Sequence, residues 1–203
     1  MLIPKIIHQV WDGPMLPGIQ ECLDSVKRVM PDYDVRVYDG EEVNRIVPER
    51  MTLVGKTDVV RNKKLYEEGG WWVDADCYMM KPLNGDCAYS YGLQEQKDGC
   101  WNQVCDWLFG SEAGNPDQKR CLDWLNKLPH VTVVGFHRHC PQYEHKAKKF
   151  LPYSEYGSRY FAKTTPQRRK PANPTAVHLF MGSWVKYPAT GVLSEVKEVE
   201  RWV

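Results

Sequence analysis

The hydrophobic and polar positions in the first part of the chain alternate between strand and helix patterns. An apolar run over Lys5–Trp11 predicts a strand that opens into the loop DGPMLPG, which is rich in Gly and Pro. The apolar spacing of Ile19–Met30 predicts an amphipathic helix that ends at Pro31. The segment Asp34–Tyr38 (DVRVY) predicts a second strand, and Asp39 begins a short helix. This order predicts an α/β fold with a mainly parallel central sheet flanked by helices.

The next stretch, TDVVRNKKLYEEGGWWVDADCYMMKP, predicts a helix, a glycine stop and a buried strand. Residues Thr57–Glu68 contain no Gly or Pro and are rich in residues that favour helix. Gly69 and Gly70 then supply the positive-φ positions at which helices commonly end. The apolar run Trp71–Val73 is better explained as a strand than as more helix.

The later part of the chain carries weaker patterns. One predicted strand there is expected to turn Trp107 and Leu108 inward, and the apolar residues of the predicted helix after it are expected to be partly buried. The predicted elements are, in order, strands over Ala88–Leu93 and Gln103–Phe109, a helix over Pro116–Leu128, a strand from Ala176 that ends in a Gly turn, and an amphipathic helix over Val192–Val203.

Two aspartates follow the buried strand. Asp74 and Asp76 are two residues apart, and in an extended chain this spacing places both side chains on one face. Two neighbouring carboxylates repel each other unless a positive charge lies between them, so Mg²⁺ or Mn²⁺ is the natural candidate. The competing interpretation is a solvated turn, because Asp-x-Asp alone occurs by chance in many chains.

A second pair precedes the aspartates. Asp58 and Arg61 are three residues apart, on one face of the predicted helix. On their own they would be explained as a first-turn Asp, favoured by the helix dipole, paired with an Arg. Asp-x-x-Arg, Gly-Gly and Asp-x-Asp in succession form a composite pattern that chance rarely produces, which favours a binding site.

The segment DVVRNKKLYEEGGWWVDADCYMMKPL resembles the donor-binding core of the DxD sugar transferases, the family 32 glycosyltransferases. The clostridial glucosylating toxins are more distant relatives of that family. The resemblance extends to IPKIIHQVWDGPMLP and AVHLFMGSW, whereas the region between about Gly85 and Ala176 matches loosely. It implies one GT-A-type domain over residues 1–203, with a donor-binding core at 1–84 plus 176–186 and an acceptor-side region at 85–175.

The resemblance also implies a reaction. It is the transfer of a hexose from a UDP- or GDP-sugar to an acceptor, dependent on Mn²⁺ or Mg²⁺ and with retention of configuration, so no general base is assigned. Asp76 would bind the metal directly, with His178 as a further protein ligand. Asp74 would hold ribose or sugar hydroxyls and a metal-bound water, while Asp58 and Arg61 would grip the sugar.

Four further residues have roles that the resemblance implies. Trp11 would stack on the nucleotide base, Asn102 would line the sugar pocket, and Ser183 and Trp184 would contact the β-phosphate. For Trp11 the alternative is a place in the core, and for Asn102 it is a structural role in a loop. A lone His at a strand end, such as His178, is usually a structural residue with its hydrogen bonds satisfied.

Composition limits the class of protein. A length of 203 residues, 42% of them hydrophobic, suits one globular domain, and the net charge of +1 identifies no partner. Seven Cys without a CxxC pair, and an N-terminus without the features of a signal peptide, favour reduced thiols in a cytoplasm. With no run of about 18 apolar residues, we expect a soluble, cytoplasmic protein. Golgi members of the resembled family carry an N-terminal anchor and stem, so the resemblance without them implies a protein of a bacterium or of a virus-infected cell.

Charge is unevenly distributed along the chain. Residues 137–170 hold nine Lys or Arg against two Glu, a balance of +7, and also several aromatic residues. The simplest account is a solvated face. Basic groups interleaved with aromatics also suit an anionic acceptor, such as an acidic polysaccharide, a lipid-linked phosphate or a modified nucleic acid.

Two other functions are compatible with the sequence. A metal-dependent phosphohydrolase could use Asp74 and Asp76 to activate water. Such an enzyme would need further carboxylates spaced to bind metal, and the sequence offers no obvious third or fourth one. A non-catalytic nucleotide-sugar-binding module could keep the fold without turnover. The motif positions all carry competent residue types, which favours the enzyme.

Overall fold

The computed structural model of the protein describes seven segments of the chain, and they form two sheets and a set of covering helices. Four helices have defined bounds: α1 (Pro17–Val29), α2 (Gly40–Ile46), α3 (Leu53–Glu67) and α4 (Pro116–Leu125), and residues 196–200 are also helical. The described residues are 3–47, 53–83, 89–94, 103–127, 150–151, 175–179 and 196–201.

The larger sheet has six strands: β1 (Ile6–Val10), β2 (Asp34–Tyr38), β3 (Gly70–Val73), β5 (Tyr89–Gln94), β6 (Gln103–Ser111) and β7 (Phe150–Leu151). Their order across the sheet is β2-β1-β3-β6-β5-β7. β1 pairs with β2 and β3 in parallel, and β5 pairs with β7 in parallel, whereas β6 is antiparallel to both β3 and β5. The predicted α/β fold with a mainly parallel sheet is therefore confirmed.

The antiparallel strand follows from the length of a connection. Residues 95–102 join β5 to β6, and so short a link permits antiparallel pairing but is too short for a parallel crossover. A second, two-stranded sheet pairs β4 (Cys77–Met79) with β8 (Ala176–His178) in antiparallel register. Among the described helices, none has the length and apolar character required to cross a membrane.

The two tryptophans of β3 contribute to opposite faces of the large sheet, as alternation along a strand requires. Trp71 packs with Ile7 and with Val26 of α1, on one face. Trp72 packs with Leu65 of α3 and with residues of α2 and α4, on the other. Both indoles are fully buried, so β3 lies inside a sheet covered by helices on both sides.

The glycine stop predicted at Gly69 and Gly70 is confirmed. α3 ends at Glu67, and Gly69 has φ +68°, the left-handed conformation that commonly follows a helix. Gly70 has φ +101°, and a Cβ built there would lie 2.6 Å from the carbonyl oxygen of Ile6 on β1. Glycine at this position therefore lets β3 start directly beside β1.

Most predicted elements are found, with shifted ends. α3 begins at Leu53, four residues before the predicted Thr57, and α1 begins at Pro17, a residue that is tolerated in the first helical turn. The inward orientation predicted for Trp107 and Leu108 is confirmed, because both are buried.

Candidate active site

The two aspartates lie on a tight turn between β3 and β4. The backbone N–H of Asp74 donates to the carbonyl of Trp107 on β6 at 2.8 Å, and the N–H of Cys77 donates to the carbonyl of Asp74 at 3.0 Å. The expectation of an extended segment at Asp74–Asp76 is therefore wrong. The chain turns here because it leaves the large sheet and enters the small one.

His178 is brought to this turn by the small sheet. In the antiparallel register of β4 and β8, His178 lies opposite Cys77, and the N–H of Leu179 donates to the carbonyl of Asp76 at 3.0 Å. The imidazole Nε2 is 3.0 Å from Asp76 Oδ1 and 3.8 Å from Asp74 Oδ2. The small sheet thus brings His178 to the two predicted aspartates, although it lies far from them in the sequence.

Asp58 and Arg61 lie on the other side of Asp74. Arg61 Nη1 is 3.2 Å from Asp58 Oδ1, its Nη2 is 3.9 Å from Asp74 Oδ1, and the guanidinium lies 5.1 Å from the ring centroid of Trp72. Asp58 and Arg61 are only 3% and 4% exposed. The first-turn account of Asp58 does not hold, because α3 begins five residues earlier at Leu53.

Asp74 lies between Arg61 and His178. The indole N–H of Trp72 donates to Asp74 Oδ1 at 2.7 Å, on the side of Arg61, which leaves Oδ2 directed at His178. Trp72 was expected only as a buried strand residue, and its hydrogen bond is a role that sequence reasoning missed. A Trp two residues before an Asp is a weak signal for such a hydrogen bond, because the two side chains meet only when the chain turns as it does here.

The described part of the site carries an excess of negative charge. It contains three carboxylates, those of Asp58, Asp74 and Asp76, and one guanidinium, that of Arg61, which contacts the first two. The balance is 3 − 1 = 2 negative charges when His178 is neutral. Asp58 and Asp76 are buried, and carboxylates that are removed from water beside a third one favour a bound cation. Carboxylate oxygens and an imidazole nitrogen are ligands that Mn²⁺ accepts and Mg²⁺ tolerates.

Cys77 is a second residue that sequence reasoning missed. Its thiol, together with an oxygen of Asp76 and a nitrogen of His178, forms a group of potential metal-binding atoms that lie within 4.8 Å of one another. Its neighbour Asp76 was a predicted ligand, but only the pairing of β4 with β8 shows that Cys77 and His178 are opposite each other.

Trp11 lies at the carboxyl end of β1, beside the same turn. It is partly buried and packs against a small cluster formed by Ile19 and Leu23 of α1 and by Ala75, which lies between the two aspartates. Its indole Nε1 donates to the carbonyl of Pro14 at 3.3 Å. The residue thus contributes to the core and also borders the site, and its stacking on a base stays a prediction.

Several predicted site residues lie outside the described segments. They are Asn102, Ser183, Trp184 and the basic segment 137–170, of which only 150–151 are described, as β7. Their expected roles stay predictions.

Comparison with known proteins was made at the level of sequence and of structure. No family model matches the sequence, and no curated protein sequence matches it. The solved structure of a glycosyltransferase involved in the glycosylation of the major capsid of PBCV-1 is similar, with a TM-score of 0.58 at 10% identity, covering 95% of this chain and 98% of its own.

The apo-form glycosyltransferase GlyE of Streptococcus pneumoniae TIGR4 is similar too, with a TM-score of 0.57 at 8% identity. The match covers 98% of this chain and 64% of the GlyE chain, so this chain corresponds to a little under two thirds of it. At such low identities the likeness concerns architecture. The chain has the mixed α/β fold found in these glycosyltransferases.

Proposed function

We propose that this protein is a metal-dependent glycosyltransferase of the DxD type, similar to family 32, that moves a hexose from a UDP- or GDP-sugar to an acceptor with retention. The observation that carries the proposal is the convergence of Asp74, Asp76 and His178. They meet beyond the carboxyl end of β3, in the region where open α/β sheets bind ligands.

The residues present fit a divalent cation. Asp76 and His178 offer an oxygen and a nitrogen 3.0 Å apart, and Asp74 Oδ2 faces the same imidazole. Asp76 and His178 would hold Mn²⁺ or Mg²⁺ directly, with Asp74 as a further ligand or acting through a water. When bound, the metal supplies Lewis acidity that stabilises negative charge on the departing diphosphate.

The chain's own residues would position the donor sugar. Arg61 presents a planar fork suited to hydroxyls and phosphate oxygens, and its place between Asp58 and Trp72 keeps that fork in one orientation. Asp58 would accept hydrogen bonds from sugar hydroxyls next to Arg61. The N–H of Trp72 holds Asp74 so that one carboxylate oxygen stays directed at His178. These residues would orient the donor before transfer.

The acceptor is proposed to be anionic and to bind through residues 137–170. The support is the balance of +7 in that segment together with its aromatic residues. Transfer to a polyanionic acceptor should weaken steeply as salt rises. Reversing the charges of Arg168, Arg169 and Lys170 should lower acceptor use and leave donor hydrolysis unchanged, and transfer that is insensitive to both would reject this acceptor class.

The test of the reaction is a donor screen. Release of UDP or GDP is followed from a panel of nucleotide sugars with Mn²⁺, with and without chelator, for the wild type and for Asp76→Asn. Asp123→Asn, an exposed aspartate on α4, is the matched control. We expect metal-dependent release that Asp76→Asn removes and Asp123→Asn retains, because a neutral amide cannot replace an anionic ligand.

Other results of the screen separate the alternatives. Nucleotide-sugar binding without release would identify a non-catalytic binding module. Release of inorganic phosphate from simple phosphoesters, in preference to a nucleoside diphosphate from a sugar donor, would identify a phosphohydrolase.

A further inference from the structure

Cys77 forms the buried side of the Asp76–His178 group. Its side chain is fully buried, whereas Asp76 and His178 each retain 8% exposure. Its Sγ is 3.9 Å from the carbonyl oxygen of Trp107, to which the thiol donates a weak hydrogen bond. A buried cysteine usually serves as a small apolar residue. A further role for Cys77 therefore needs evidence beyond its packing.

Two observations go beyond packing. Cys77 lies opposite His178 in the register of β4 and β8, and residues directly opposite in an antiparallel pair have side chains on the same face. The sulfur, an oxygen of Asp76 and a nitrogen of His178 also lie within 4.8 Å of one another. Ligand atoms around a zinc ion lie about 2.0–2.3 Å from it, so a small adjustment of these side chains would bring all three into contact with one ion.

This set of atoms differs from an all-oxygen site in its metal preference. Thiolate and imidazole ligands favour Zn²⁺ and its neighbours in the transition series, whereas carboxylates suit Mg²⁺ and Mn²⁺. A cation that needs only oxygen ligands gains little from Cys77. A thiophilic cation gains a third protein ligand, and the thiol proton leaves to solvent as that metal binds.

We propose that Cys77 is a ligand of this centre for thiophilic divalent cations, so that the centre binds Zn²⁺ and Co²⁺ more tightly than Mg²⁺ or Mn²⁺. The inference rests on the metal centre of the proposed function. It adds a donor atom that the Asp-x-Asp pattern does not predict. Nitrogen and oxygen ligands already bind Co²⁺ and Zn²⁺ more tightly than Mn²⁺, and the thiolate would enlarge that difference. The centre would thus accept two kinds of metal, held by overlapping sets of residues.

Co²⁺ reports on this directly because its spectrum depends on its ligands. The purified full chain is titrated with Co²⁺ in a non-thiol reductant, and absorbance is recorded in the visible and near-ultraviolet. A thiolate ligand should produce a near-ultraviolet charge-transfer band in addition to the visible bands. The variants are Cys77→Ser and, as matched control, Cys22→Ser, a fully buried cysteine of α1 in a different packing cluster.

We expect the charge-transfer band in the wild type and in Cys22→Ser, and its loss in Cys77→Ser. Affinity for Zn²⁺ in Cys77→Ser should fall by at least about 10-fold, the lower end of the loss seen when groups around a metal are altered, with little change for Mn²⁺. If Cys77→Ser does not fold, X-ray absorption of the Zn²⁺-loaded wild type should show one sulfur at about 2.3 Å.

The failures are distinguishable. Visible Co²⁺ bands without charge transfer, or Zn²⁺ surrounded only by nitrogen and oxygen, would overturn the role of Cys77 and leave the Asp–His centre intact. A charge-transfer band that persists in folded Cys77→Ser would assign the thiolate to another cysteine and also overturn it. If neither Co²⁺ nor Mn²⁺ binds, the metal centre of the proposed function fails as well.

Discussion

The indole of Trp107 is stacked on the imidazole of His178, with 5.1 Å between the ring centroids and 18° between the planes. The backbone carbonyl of the same residue accepts the N–H of Asp74 at 2.8 Å. One residue of β6 therefore orients two members of the site, the imidazole through its ring and the first aspartate through its backbone. Both contacts come from β6, the strand that is antiparallel to its two neighbours in the sheet.

The stack predicts a graded effect of substitution at Trp107. Trp107→Leu should lower the free energy of unfolding by about 3 kcal/mol, a typical cost for truncating a buried aromatic, and raise the Mn²⁺ concentration needed for half-maximal donor turnover. Trp107→Phe keeps an aromatic plane beside His178, so it should preserve much of the metal response. Urea unfolding and a Mn²⁺ titration measure the two effects, and equal metal responses in the two variants would show that the stack does not position His178.

Substitution at Arg61 should damage both stability and turnover. Arg61→Lys keeps the charge but loses the planar fork that lies between Asp58, Asp74 and Trp72. We expect a loss of at least about 10-fold in turnover, by analogy with a misplaced substrate-positioning group, and a measurable decrease in unfolding free energy. The control is Arg45→Lys, because Arg45 pairs with Glu41 on the exposed side of α2. This substitution should change neither turnover nor the free energy of unfolding.

The role of Trp11 can be separated from packing by comparing nucleotide affinity with stability. If the indole stacks on a base, Trp11→Ala should weaken nucleotide binding by about 1–3 kcal/mol. Trp124→Ala, a partly buried tryptophan of α4 on the other face of the sheet, should lower stability without changing nucleotide affinity. Calorimetry with UDP and GDP in the presence of Mn²⁺ provides the measurement. Unchanged affinity in Trp11→Ala would assign the residue to the core alone.

A buried histidine away from the site predicts a pH effect on folding. His8 Nδ1 is 2.8 Å from the hydroxyl of Tyr38 and Nε2 is 2.9 Å from the carbonyl of Gly69, so the ring joins β1, β2 and the glycine stop. Burial lowers the pKa of His8 below its ordinary value of 6.5, although the Gly69 hydrogen bond and Glu68 oppose the change. The folded protein therefore favours the neutral ring.

The difference in proton uptake between the folded and unfolded states determines how the free energy of unfolding changes with pH. Above pH 6.5 His8 is mainly neutral in both states, and its contribution to stability is complete. As pH falls below 6.5 the unfolded chain binds the proton more readily, so the free energy of unfolding decreases until the lowered pKa is reached. Urea unfolding between about pH 8 and about pH 5 should show this dependence in the wild type and a shallower one in His8→Gln. Equal slopes would exclude His8 as its source.

Local pattern determined much of this protein. The strand at Asp34–Tyr38, the helix start at Asp39 and the glycine stop all depend on neighbours in sequence, so they could be predicted. The predicted Asp58, Arg61, Asp74 and Asp76 fall within one helix–strand unit. Arg61 contacts Asp58 and Asp74 within this unit. The positions of Asp74 and Asp76 also depend on backbone hydrogen bonds to Trp107 and Leu179, which are remote in sequence.

Tertiary structure decided the rest. The turn at Asp74–Cys77 replaces the predicted extended segment because it connects two sheets, and no period in the sequence marks that change. The hydrogen bond from Trp72 to Asp74 exists only in that turn. The register that sets Cys77 opposite His178, 101 positions further along (178 − 77), adds the thiol to the site. Hydrophobic periodicity determines which side chains of each strand face the core. It does not determine which residue of a remote strand lies opposite, because that depends on how both strands pack against the rest of the core.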